Sequence, residues 1–78
     1  MQKIRPDLDL GHNIQRLRKA AGMTQDQVVA KLQLMGLSVS KSTYAKLETN
    51  RMNIKVSELV ALKDIFQAEY QEFFAGLK

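Results

Sequence analysis

The stretch VSKSTYAKLETNR, residues 39–51, holds the residues whose types and spacing offer chemistry in this chain. As a helix it places Lys41, Ser42, Ala45, Lys46 and Thr49 on one face and the apolar Tyr44 and Leu47 on the other. The first face carries lysines, small hydroxyls and an alanine, and no acid, whereas a solvated helix usually mixes acids among its bases. Lysine can donate to guanine O6 or N7, serine can donate or accept, and an alanine methyl can pack on a thymine methyl. Those are base-edge contacts. The plain alternative is a solvated basic face.

Other chemistries find little support. His12 is the only histidine and there is no cysteine, so it reads as a surface or partly packed ring and no metal site is expected. Asp7 and Asp9 suit a helix start without further explanation. No nucleophile stands with a base and no phosphate loop is present, so we expect no enzyme, no cofactor and no small-molecule ligand. The aromatic stripe Tyr70, Phe73 and Phe74 reads as core, and Tyr44 as core rather than a base-stacking ring.

These residues must be positioned by a small scaffold. With 78 residues the chain suits one domain over 1–78, with its core at about 8–77 and residues 1–7 as a flexible arm. A hydrophobic content of 45% against 26% charged residues is that of a chain that folds. Without cysteine the core must stabilise the domain alone. The N-terminus lacks an apolar signal segment and no apolar run approaches a membrane span, so a soluble, cytoplasmic protein is expected. Residues 1–55 hold ten Lys/Arg against four acids, and residues 56–78 two against four. The basic excess lies in the first part of the chain and favours a polyanionic partner.

Helical periodicity accounts for the whole core region. Leu10, Ile14, Leu17 and Ala21 predict a first helix ending before Gly22. Thr24 and Gln27 form a capping-box pattern for a second, whose inward stripe is Val28, Leu32 and Met35, running until Gly36. Ser40 is placed to cap a third helix over Lys41–Thr49, with Asn50 as the left-handed residue after it. Leu59, Val60, Leu62, Ile65 and Phe66 describe a fourth from about Val56, and Tyr70, Phe73, Phe74 and Leu77 a short fifth. The expected fold class is all-α: a compact five-helix domain with no sheet.

Helices two and three, joined by a glycine-containing turn, make a helix-turn-helix pattern. RLRKAAGMTQDQVVAKL followed by VSKSTYAKLETNR resembles the lambda-repressor-like, Cro/C1-type (XRE family) DNA-binding domain over about residues 8–77. The resemblance implies that Lys41, Ser42, Ala45 and Lys46 read base edges of double-stranded DNA in the major groove. It implies backbone contacts from Thr24, Gln25 and Thr43 and from the loop residues Arg51, Asn53 and Lys55. Arg18 and Glu48 fall where the family pairs helix one with the end of helix three, partly buried at best. The function this resemblance implies is transcriptional regulation, by expectation repression.

This chain departs from the pattern where the family carries alanine at the position of Val29. The connection between Leu32 and Val39 is also roughly five residues longer than the family's shortest turn, so QLMGLS should extend helix two and widen the turn. A homodimer on a pseudo-palindromic operator stays open, with the C-terminal aromatic stripe as one interface. Open as well is a protein-interaction module on the same fold, such as a component of a toxin-antitoxin complex; membrane binding is not expected.

Overall fold

The computed structural model describes residues 7–76, which form α1 (Asp7–Ala20), α2 (Gln25–Leu34), α3 (Lys41–Glu48), α4 (Val56–Phe66) and α5 (Tyr70–Phe73). The described residues contain no strand. The arm expected over residues 1–7 lies outside them except for Asp7, which begins α1, and Leu77 lies outside them too.

Local chemistry sets the helix boundaries. Thr24 Oγ1 accepts from the Gln27 amide at 3.1 Å while Gln27 Oε1 accepts from the Thr24 amide at 2.8 Å, closing the capping box that starts α2. Ser40 Oγ accepts from the Thr43 amide at 3.1 Å and starts α3. Glu58 reaches back to the Lys55 amide at 2.8 Å at the head of α4. The first four helices also stop alike, in paired 6→1 and 5→2 hydrogen bonds around a left-handed residue. Met23 and Gly22 donate to Arg18 and Lys19 after α1, and Leu37 and Gly36 to Leu32 and Gln33 after α2. Arg51 and Asn50 donate to Lys46 and Leu47 after α3, and Ala68 and Gln67 to Lys63 and Asp64 after α4. Asn50 and Gln67 adopt positive φ (63° and 54°) in this role.

One apolar cluster joins the helices: Ile14 and Leu17 of α1, Val28, Val29 and Leu32 of α2, and Tyr44 and Leu47 of α3. Ala61, Leu62 and Phe66 of α4, Val39, Ala68 and Phe73 complete it. The rings of Phe66 and Phe73 stack at 6.3 Å. Polar bonds add direction. Asn13 Nδ2 donates to the carbonyls of Phe73 and Ala75, both at 2.9 Å, so a side chain of α1 satisfies backbone at the end of α5.

The predicted stripes are wider than the buried faces. Met35, assigned inward, is 48% exposed, because α2 stops at Leu34 and Met35 lies past its covered part. Ala21 is exposed just after α1, and Val60 faces outward from α4. Of the C-terminal aromatic stripe only Phe73 is buried, while Tyr70 and Phe74 are each 42% exposed. Tyr70 lies instead under the Lys63 ammonium, 5.3 Å from the ring centre.

Candidate nucleic-acid interface

α3 is held by its inner face. Tyr44, Leu47 and Glu48 are buried against α1 and α2, so the helix cannot rotate without exposing them. The opposite face then points outward by necessity: Lys41, Ser42, Lys46 and Thr49 are exposed and Ala45 and Thr43 half-buried. Arg51, Asn53 and Lys55 are exposed in the loop after α3, and Thr24 is exposed at the head of α2. The thirteen-residue stretch therefore divides as its periodicity predicts, into a core face and a basic, small-polar face.

Beneath that face lies a polar network that spans three helices. Arg18 Nε donates to Glu48 Oε2 at 2.6 Å and Arg18 Nη2 to Glu48 Oε1 at 3.2 Å, a two-pronged ion pair between α1 and α3. Arg18 Nη1 also donates to the Met23 carbonyl at 2.9 Å. Gln25 Nε2, at the start of α2, donates to Glu48 Oε1 at 2.9 Å. The pair is more deeply placed than the partial burial expected from the sequence, with Arg18 8% and Glu48 4% exposed. Gln25 covers the carboxylate, and Tyr44 lies at its inner side.

The network sets the ionisation of its members. Burial alone would raise the Glu48 carboxyl, but the bonds from Arg18 and, to a smaller extent, Gln25 outweigh it and hold the pKa below the ordinary carboxylate range. Burial pushes the Tyr44 phenol far above its usual pKa, and the adjacent Glu48 charge adds to that. The Tyr44 hydroxyl is buried and makes no hydrogen bond of good geometry. Its removal should consequently cost little. We expect Tyr44→Phe to change unfolding free energy by less than about 1 kcal/mol in urea titrations. A loss above about 2 kcal/mol would show instead that the hydroxyl supports Glu48.

Two placements differ from the sequence expectation. Gln25, assigned to the DNA backbone, directs its amide inward to Glu48. The outer face of α3, though free of acids of its own, meets one from α2: Asp26 Oδ1 lies 3.1 Å from Lys41 Nζ. Sequence periodicity carried no signal for that cross-helix pair, since Asp26 reads locally as a first-turn acid that favours the helix dipole. Asn13 and the close approach at Gly11 were likewise invisible, because their partners lie far along the chain.

α2 and α3 stand in the order and contact that a helix-turn-helix requires, but the connection is long. Residues 35–40 link them, and Gln33 Nε2 braces the link by donating to the Val39 carbonyl at 3.1 Å. The extension of α2 through Leu34 follows from QL continuing the helix before Gly36 ends it. Val29 is accommodated in the core. Among the described residues no helix is long and apolar enough to cross a membrane, and no group of three or more His, Asp or Glu is placed to hold a metal.

No curated protein and no solved structure matches the chain. The family model described as "Helix-turn-helix domain" matches residues 9–72, from the first turns of α1 through most of α5. With that match covering most of its length and with α2 and α3 packed beneath an exposed basic face, the chain belongs to the helix-turn-helix domain family.

Proposed function

We propose that the chain acts as one module, a sequence-specific double-stranded DNA-binding transcriptional regulator of the Cro/C1 type. α3 enters the major groove, Lys41, Ser42 and Lys46 donate or accept at base edges, and Ala45 offers its methyl. Thr24, Thr43, Arg51, Asn53 and Lys55 hold the phosphate backbone on either side. Gln25 serves the backbone through the amino-terminal end of α2, while its side chain steadies Glu48. The observation that carries this reading is the exposure of Lys41, Ser42 and Lys46 on a helix whose other face is locked in the core.

Repression by excluding polymerase from overlapping DNA is the simplest output of a module that occupies DNA. Its place of action is the cytoplasm. A two-fold pair would set two copies of α3 about 34–36 Å apart on a pseudo-palindromic operator, and the exposed edges of Tyr70 and Phe74 offer apolar surface for the second copy.

Fluorescence anisotropy of labelled duplex across a salt series tests the reading. Binding should weaken steadily with salt as backbone cations give way to counterions. Lys46→Ala should cost about tenfold on the preferred site and less on unrelated duplex. An absence of binding at low salt would direct attention to a protein partner.

A further inference from the structure

The ion pair at the mouth of the motif has little to do with stability. Lys41 and Asp26 side chains are 60% and 72% exposed, and an exposed pair of this kind adds little to a fold. Its position is more informative. Asp26 belongs to the first turn of α2 and Lys41 is the first residue of α3, so the pair joins both helices at the end of the motif that the proposed reading turns toward DNA. The ammonium keeps donors beyond the one directed at Asp26, and the carboxylate keeps free acceptor positions. Together they present a donor and an acceptor side by side, 3.1 Å apart.

A G·C pair presents the complement. In the major groove guanine O6, an acceptor, stands beside the cytosine N4 amine, a donor, and the two are themselves joined by an N–H···O bond of about 2.9 Å. Guanine N7 offers the ammonium a second acceptor on the far side of O6. A T·A pair in the same orientation repeats the acceptor-donor order but puts a methyl group in place of N7, and C·G reverses the order.

We infer that Asp26 and Lys41 work as one unit that reads a single G·C base pair, Lys41 donating to guanine O6 and N7 and Asp26 accepting from cytosine N4. The inference rests on the DNA-binding reading and sharpens it by adding a specificity-determining residue from α2. Asp26 also has a negative role. Next to a phosphate its charge repels, so it disfavours the sliding of Lys41 onto the backbone that would give affinity without discrimination.

Selection of sites from a random duplex pool by the wild type and by Asp26→Ala, followed by anisotropy at one salt concentration, tests this. The wild type should select a constant G·C at one position, and replacing that pair should weaken its binding about tenfold. Asp26→Ala should lose most of that discrimination at the same position only, and bind random duplex more tightly. Identical base preferences in the two proteins, with affinity raised evenly on all sequences, would overturn the inference and leave Asp26 as a general repulsive charge. The two readings fail separately: a wild type that binds no duplex removes the DNA-binding proposal itself. Circular dichroism of Asp26→Ala checks that this exposed position leaves the fold intact.

Discussion

Glu48→Ala should destabilise the domain by about 3–5 kcal/mol, whereas replacing Arg18 and Glu48 together by apolar residues of similar size should cost far less. The asymmetry follows from burial. Removing the carboxylate strands a guanidinium that is 8% exposed, leaves Gln25 Nε2 without its acceptor and cuts the link from α1 to α3. Removing both charges leaves no ion to desolvate. A chain of this length has a total stability of about 4–12 kcal/mol, so the single variant removes a large part of it. Urea unfolding of the two variants decides the matter. If Glu48→Ala lost under about 1 kcal/mol, Arg18 would have found water or another acceptor, and the network would not set the position of α3.

The same pair makes stability depend on pH with a definite sign. The Glu48 carboxyl is held below its unfolded-state pKa, so its contribution is complete above the ordinary carboxylate range and is lost as pH falls through the lower, folded-state value. Acid unfolding of the wild type should therefore steepen below the usual carboxylate pKa, and Glu48→Gln should flatten that limb.

Features encoded within a few residues were legible in the sequence. Thr24 with Gln27, Ser40, Gly22 and Asn50 each start or stop a helix through bonds to neighbours in the chain, so residue type and spacing suffice to place them. The division of residues 39–51 into two faces was legible for the same reason. Burial was legible only in direction. Periodicity names the inward side of α2 and α4 but not how far the core extends, which is why Met35 and Val60 were placed inside and lie outside. Contacts between helices were legible only where a family pattern supplied them, as for Arg18 and Glu48. Asp26 beside Lys41, Gln25 on Glu48 and Asn13 on the end of α5 depend on the packed geometry, and no local pattern announces them.

Gly11 is the sharpest case, because local and tertiary physics predict opposite signs for one substitution. Gly11 lies inside α1, where alanine is favoured over glycine by about 1 kcal/mol. On propensity alone Gly11→Ala should stabilise. A Cβ there would, however, stand 2.5 Å from the Leu47 carbonyl oxygen, 2.6 Å from Asn50 Oδ1 and 2.8 Å from the Glu48 carbonyl oxygen. Two of these atoms are backbone at the end of α3, so no rotation of a flexible side chain relieves the clash. The third belongs to the bond that the Gly11 amide donates to Asn50 Oδ1 at 2.8 Å, which a retreating α3 would break. Overpacking costs about 1–3 kcal/mol. A deprived polar group costs about 1–3 kcal/mol more. After the propensity gain the net loss is about 1–5 kcal/mol, and a loss near the middle of that range should lower the melting temperature by roughly 10–25 °C in a domain of this size. Calorimetry of Gly11→Ala reads the sign directly. An increase in melting temperature would mean that α1 and α3 stand further apart than the described geometry, and with it the seat of the outward-facing helix would have to be redrawn.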